Sequence, residues 1–574
     1  MLKILNFLMP HRFVICLIIL LTFIQTLTQL YLPGLMADIV DNGIVNGDIP
    51  YILNIGFLMI LVTLGGTISA ICASYLASKT AINFSKNLRS AVFTKVQSFS
   101  LKEYDKFGAA SLITRTTNDI TQIQMAVLMM LRMMFTAPLM MFGGIIMALT
   151  RDPKLSLVIF LVMPIVILTI TVLAKKGLPL FKAVQTKLDK LNLVMRENLT
   201  GIRVIRAFNR INHEKERFDS ANSDLTATAI KVNKLMALAM PLLTLLLNLT
   251  AVLTIWFGSL RIDSGSMQVG DLMAFLQYIM FIMFSLMMVS MMFVMLPRAT
   301  VSAGRVNEIL ETIPKIKDPK TEKNTYSKKG LEFKDVTFNY PGAEKPAIEN
   351  ISFSAKPGEV TAIIGSTGSG KSTLANLILR FYDTSNGQIL INGLDIKDIN
   401  QQSLRKKIGY VPQQALLFSG NIWDNIRYGK KDASEKEVRD AAQIAQALEF
   451  ITDMEKGFDS EINQGGINLS GGQKQRISIA RALVRKPDIY IFDDSFSALD
   501  YKTDSKLQIA LKEEIQHSTV IIITQRVNTI KNANRIIVLD QGKVAGTGTH
   551  QQLMENSEVY QQIVFSQLSK EEIA

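Results

Sequence analysis

Apolar and polar positions divide the 574-residue chain into two unlike stretches. Up to residue 300 the apolar residues come in long runs. From residue 330 short apolar runs of strand length alternate with segments of helical periodicity. Six of the long runs suffice to cross a bilayer, which takes about 20 residues. They lie near 13–32, 52–78, 126–150, 155–174, 236–260 and 272–296. The pattern predicts a multidomain chain. A six-helix transmembrane domain occupies 1–312, a linker 313–330, and an α/β domain 331–574. Ahead of the first run, MLKILNFLMPHR carries apolar and basic residues on different faces. It reads as an interfacial segment or as the start of the first span.

Charge orients the spans. Residues 37–50 hold three Asp and no Lys or Arg, whereas 79–115 hold seven Lys or Arg. The positive-inside rule puts the first loop outside and the second inside. By alternation 151–154 and 261–271 face outward and the basic 175–234 inward. Both termini are then cytosolic, in a multi-pass protein of the cytoplasmic membrane. The two inner loops keep helical periodicity, in SKNLRSAVFTKVQSF and KLDKLNLVMRENLTGIRVIRAF. They predict helices that continue below the membrane and close in short turns near 101–108 and 209–218, placed to press on a soluble domain.

The net charge is +13, but without a concentrated basic tract it argues for loop bias rather than for nucleic acid. Cys16 and Cys72 both lie in apolar runs, at a spacing that indicates neither a disulfide nor a metal site. The first apolar run is too long for a cleaved signal and lacks a small-residue cleavage site, so it is expected to stay as an anchor. The spans contain few polar residues: Gln25, Gln29, Arg132, Asn248 and Gln277. Arg132 sits near the cytosolic end of its span, where it either snorkels to the interface or faces a substrate cavity. The methionine-rich runs 125–147 and 280–295 either line an adaptable apolar cavity or fill space between helices and lipid.

GSTGSGKST, comprising Gly365, Ser366, Thr367, Gly368, Ser369, Gly370, Lys371, Ser372 and Thr373, follows the apolar strand 360–364 and opens the helix 373–381. This is the context of a phosphate-binding loop: backbone N–H groups point inward and a helix N-terminus adds its positive end. Lys371 reaches the terminal phosphates and the Ser372 hydroxyl a Mg²⁺ ion. A second strand, 488–492, is apolar after Asp488, as expected of a parallel strand buried on both faces. It delivers Asp493, the expected Mg²⁺ carboxylate, at its C-terminal end. Ser470, Gly471 and Gly472 open another helix in LSGGQKQR, a second anion clamp in the same domain. If the clamps occupy opposite ends of its surface, one domain cannot close both on one triphosphate. Two domains head to tail can.

The phosphate loop, Gln413 in IGYVPQQ, LSGGQKQR, the strand ending in Asp493 and SALD at 497–500 come in this order after six spans. In this the chain resembles ATP-binding cassette exporter half-transporters of the bacterial multidrug and lipid type. ENLTGIRVIRAFNRINHEKERF is also similar to that family's second cytosolic loop. The resemblance implies that 331–574 is an α/β P-loop nucleotide-binding domain with a helical subdomain, an ATPase coupled to substrate movement, with ATP and Mg²⁺ as cofactors and amphipathic drugs or lipids as substrates. It implies that Tyr340 stacks on adenine and that Gln413 contacts Mg²⁺ and senses the membrane half. Ser470, Gly471, Gly472 and Gln473 would grip the γ-phosphate of the opposite domain, and Asp500 would lie at the dimer seam.

Three positions depart from the family pattern. Asp494 stands where Glu is usual, Gln525 where His is usual, and Asn463-Gln464-Gly465-Gly466 where a Glu-bearing segment precedes LSGGQ. Asp retracts a carboxylate by about 1.5 Å relative to Glu. A misplacement of about 1 Å in a catalytic group can cost on the order of 100-fold. Gln525 can donate to a phosphate oxygen but cannot titrate. The expected arrangement is a heterodimer: this chain's own site is degenerate and hydrolyses slowly, and its LSGGQ completes the site of a second half-transporter. A homodimeric lipid or drug flippase and a regulatory ATP-binding membrane subunit are the alternatives. The sequence does not identify the substrate.

Overall fold

The computed structural model describes residues 2–321, 323, 329–514 and 516–568. Residues 322 and 324–328 of the expected linker lie outside them, as do the side chains of residues 291 and 293–295 in the second methionine run. The chain forms two compact units: Met1–Gln97 with Ala109–Thr312, and Ser98–Gly108 with Ile313–Ala574.

The first unit is built from six long helices: α1 (Arg12–Asp38), α2 (Ile49–Gln97), α3 (Ile120–Arg151), α4 (Leu157–Thr200), α5 (Ile211–Asp263) and α6 (Val269–Glu311). All six are long and apolar enough to cross a membrane. α2, α4 and α5 run well past the apolar stretches, because their polar ends keep helical periodicity; at 49 residues α2 is about 73 Å long. Pairs α3/α6, α1/α2 and α4/α5 pack most extensively. The main core gathers at one end of the bundle, around Leu155, Ile159, Phe275, Tyr278 and Ile282. There α6 approaches α1 so closely that a Cβ at Gly270 would lie 2.4 Å from the Ala37 carbonyl oxygen. Two ion pairs and a backbone hydrogen bond tie the same end: Arg151 donates to Asp271 at 2.8 Å, Arg261 to Asp152 at 2.5 Å, and the Gly270 amide to Asp41 at 2.7 Å. At the other end the buried Asp119 accepts from Arg305 and Ser302. The N-terminal segment forms a short helix, Leu2–Leu5, and a 3₁₀ turn, Asn6–His11. It is docked rather than free, with Ile4 buried and Lys3 paired to Glu311.

The turn expected near 209–218 lies elsewhere. α4 stops at Thr200, a short helix Ile202–Ala207 follows, and 211–218 already belong to α5. Gly201 ends α4, and Asn209 takes the left-handed φ of 51° that breaks the chain before α5. The charged stretch that looked loop-like is helical because it pairs across the hairpin. Arg217 donates to Glu197 at 2.5 Å and Asn198 to Glu214 at 2.9 Å.

In the second unit two sheets sandwich a buried layer. β1 (Leu331–Phe338), β2 (Ile348–Ala355), β4 (Asn386–Ile391) and β5 (Leu394–Asp395) form an antiparallel sheet in the order β2-β1-β4-β5. β3 (Val360–Gly365), β6 (Ile408–Val411), β9 (Ile489–Asp493), β10 (Thr519–Thr524), β11 (Arg535–Asp540) and β12 (Lys543–Gly548) form the second, in the order β12-β11-β3-β10-β9-β6. It is parallel except at β12. Short strands β7 (Gly420–Asn421) and β8 (Glu461–Ile462) pair separately. Phe333, Ile351, Ile363, Ile491 and Ile521 fill the layer between the sheets. The opposite face packs on helical elements through Ile426, Val438, Ile477 and Phe492. Every residue of β9 and β10 is buried, as expected of parallel strands whose central residues are all apolar.

Residues 101–108, expected to be a turn, hold the helix Leu101–Phe107, opened by a Ser100/Glu103 capping box and ended by Gly108 at φ 73°. It belongs to the second unit, where the Tyr382 hydroxyl donates to Asp105 at 3.1 Å. Burial and this carboxylate push the Tyr382 pKa up to about 12.

Candidate functional site

The C-terminal edge of the parallel sheet positions the candidate site. β3 leads through Gly365 into the glycine loop, and the helix α7 (Lys371–Ile378) leaves it. Gly370 caps α7 with a left-handed φ of 97°, and a Cβ there would lie 2.9 Å from the Ala347 carbonyl oxygen. This is why the loop requires glycine at that point. The Lys371 ammonium folds back over the loop and donates to the carbonyls of Gly365 at 2.8 Å and Ser366 at 2.7 Å. Burial holds its pKa below the ordinary lysine value, opposed by the charges of Asp494 and Asp493.

A cavity of about 410 Å³ opens over the loop. Thr367, Gly368, Gly370, Lys371, Ser372 and Thr373 form its floor. Gly365, Ser366 and Ser369 shape the loop behind them. Tyr340 stands at one side, its hydroxyl 3.1 Å from that of Thr373 and its ring edge-on to Phe338 and Tyr382. Gln413, Asp493, Asp494 and Gln525 close the other side.

Asp493 ends β9 and is buried, accepting from the Tyr410 hydroxyl at 3.3 Å. Burial raises its pKa, as does Asp494, while Tyr410 and Lys371 lower it. Tyr410 is itself raised, first by burial and then by Asp493. Asp494 adopts a left-handed φ of 46°, and its amide donates to the Ile523 carbonyl at 2.7 Å. Its carboxylate accepts from Gln413 at 3.3 Å and from Thr524 at 3.3 Å. The sequence reading passed over Tyr410 and Thr524. Tyr410 lies three residues before Gln413 and Thr524 directly before Gln525, so adjacency to motif positions was the signal available.

Ser470, Gly471, Gly472, Gln473 and Asp500 do not line this cavity. Ser470 caps α8 (Gly471–Leu483) in a reciprocal capping box. The Gln473 amide N–H donates to Ser470 Oγ at 3.3 Å, and the Ser470 amide to Gln473 Oε1 at 2.9 Å. Ser470 and Gly471 face solvent, so the helix N-terminus is presented outward. Asp500 is exposed and lies below the usual carboxylate range, held there by Thr503 hydrogen bonds and the Arg476 charge. Of the departing segment, Gly465 and Gly466 take φ values of 68° and 66°, a conformation the side chain of Glu would strain.

Two family profiles match this chain: the ABC transporter transmembrane region over residues 15–287 and ABC transporter over residues 348–497. An ABC transporter ATP-binding protein of Mycobacterium tuberculosis is 42% identical across 97% of this chain and 96% of its own. YfiB of Bacillus subtilis, also an ABC transporter ATP-binding protein, is 42% identical across 99% of both. The chain belongs to the ABC transporter family. A more distant relative, the ATP-dependent lipid A-core flippase of Chromobacterium violaceum, is 30% identical across 99% of this chain and 97% of its own. Among solved structures, a bacterial Atm1-family ABC exporter with ATP bound matches with a TM-score of 0.81 at 25% identity, over 97% of this chain and 99% of that one. This ABC transporter is therefore a multi-pass membrane protein of exporter architecture. Its nucleotide-binding domain is an ATPase coupled to transport, and exporters of this kind work as dimers.

Proposed function

We propose that this chain is the degenerate-site subunit of a heterodimeric exporter that moves amphipathic drugs or lipids out across the cytoplasmic membrane, with both termini in the cytosol. The observation that carries the reading is Asp494, a carboxylate one methylene shorter than the family's Glu and tied back to Gln413 and Thr524. In its own site Tyr340 stacks on adenine, residues 365–373 cradle the phosphates, and Lys371 exchanges loop carbonyls for phosphate oxygens. Gln525 supplies an amide in place of a titratable imidazole. Asp494 is left too far back to activate water well.

The donors Ser372, Gln413 and Asp493 suit Mg²⁺, a hard ion that takes one or two carboxylates and otherwise oxygen from water and phosphate. Asp493 supports the fit, because it is a buried carboxylate with a single weak hydrogen bond among the described residues and a raised pKa. When bound, the ion would neutralise phosphate charge. The outward-facing Ser470–Gln473 clamp completes the partner's site, with Asp500 at the seam between the two domains.

The assembled complex tests this reading. Native mass measurement is expected to give two different subunits of half-transporter size. The purified chain alone is expected to bind ATP and turn it over at a few per cent of the complex's rate. A homodimer with full turnover would overturn the proposal in favour of a homodimeric flippase.

A further inference from the structure

The geometry points to Arg132 as the anion-recognising group of a binding site for amphiphiles with a carboxylate or phosphate head. This inference rests on the export reading and names the substrate class.

Arg132 faces a cavity of about 360 Å³ between α1, α2, α3 and α6. Thr22, Gln25, Ser74 and Thr136 supply polar groups beside it, while Met129 and Met133 represent the apolar wall. Among the described residues its guanidinium has neither an ion pair nor a hydrogen-bond partner. The sequence explains why. No Asp or Glu occurs in 12–37, 49–97, 120–151, 157–188, 225–262 or 272–307, so no helix of the bundle offers a counter-charge at this level. The guanidinium is exposed on the cavity wall and has no protein acceptor among the described residues, so it is free to pair with an anion that enters the cavity.

Depth selects what carries that anion. Nineteen residues separate Arg132 from Arg151 at the other end of α3, about 28 Å of helix. This is close to the thickness of the hydrocarbon core, about 30 Å. Arg132 therefore lies at the inner boundary of the apolar layer. Ser74, which shares the cavity, precedes Lys79 on α2 by five residues, so the site sits about 7.5 Å deeper than the first lysine of that helix. A head group at Arg132 leaves its chain to run along the methionine wall, whose flexible thioethers adapt to different tails. A cationic amphiphile would meet like charge instead.

The test is binding to the assembled transporter in phosphatidylcholine nanodiscs, without nucleotide. The probes are three fluorescent amphiphiles of equal chain length, bearing a carboxylate, a phosphate or a quaternary ammonium. Wild type is expected to bind both anions at least 10-fold more tightly than the cation. R132Q is expected to lose at least 10-fold for the anions alone, and R132K to stay within about 3-fold of wild type. Q25E, which gives Arg132 an internal counter-charge, is expected to weaken anion binding with the arginine still in place. Competition by phosphatidylglycerol doped into the disc marks a bilayer lipid as the occupant, and its absence marks a free amphiphile; either supports the inference. Equal binding of all three probes by wild type, or an R132Q protein that still binds the anions, overturns it. ATP-driven probe transport in proteoliposomes is measured in parallel. Transport that persists without anion selectivity sinks only the site. Selective binding without transport sinks the export reading.

Discussion

Asp494 and Gln525 are where the chemistry of this ABC transporter turns on single side chains. D494E extends the carboxylate by about 1.5 Å toward the attacking water, and Q525H restores a titratable ring. The double variant is expected to raise ATP turnover of the isolated chain by about 10- to 100-fold with little change in ATP affinity, read by steady-state ATPase and nucleotide binding. K371A removes the cation that replaces loop carbonyls with phosphates. It is expected to weaken ATP binding at this chain's own loop by at least 100-fold. S470A should behave in the opposite way. It removes the cap of α8, worth about 1 kcal/mol, while own-site binding stays intact and turnover of the complex falls. The contrast between K371A and S470A separates this chain's nucleotide from the one its clamp serves.

Among elements, the C-terminal helices His550–Asn556 and Glu558–Phe565 are joined by a part-buried polar contact between side chains. His550 Nδ1 lies 2.8 Å from the Tyr560 hydroxyl, and burial holds the imidazole pKa below 6.5 while that of Tyr560 rises to about 12. A base whose folded pKa is depressed is protonated first in the unfolded state, so the unfolded state binds more protons between the folded pKa and 6.5. Stability rises with pH through that window and is lost as pH falls below 6.5. Hydrogen exchange of the amides in 558–565 is expected to accelerate on going from pH 7.5 to 5.5, after correction for the intrinsic rate, and H550N to flatten the response. The same scale explains the displaced turn. Hydropathy cannot separate a charged helix from a charged loop, whereas Gly201, Asn209 and the pairing of Arg217 with Glu197 can.

For the whole molecule, the ion pairs that close one end of the six-helix unit set how readily that end parts. Arg151 joins α3 to Asp271 of α6 at 2.8 Å and lies 3.8 Å from Asp38 of α1. A charge-assisted hydrogen bond of this kind is worth about 1.5–3 kcal/mol. D271N is expected to lower the thermal midpoint of the solubilised transporter by several degrees. It should also speed thiol labelling of a cysteine placed at Ala274 without ATP, because this end then loses one of the ties that hold it together. Unchanged labelling would mean that packing around Phe275 and Tyr278 holds this end by itself.

Much of this was legible in the residues alone. Six apolar runs dictate six helices, because a backbone in lipid must satisfy its own hydrogen bonds. Strand, glycine loop and helix in succession dictate a phosphate cradle, because only that order points N–H groups at one place. Local periodicity and local turn chemistry carry both. What the tertiary structure decided is which distant side chains meet. Tyr410 against Asp493, Thr524 against Asp494 and Tyr382 against Asp105 join residues that no sequence spacing links. Likewise the sequence marks Arg132 as a charge within an apolar run but leaves open whether it snorkels or faces a cavity. It becomes an uncompensated charge facing a cavity only when four helices, none carrying a carboxylate at that level, are packed around it.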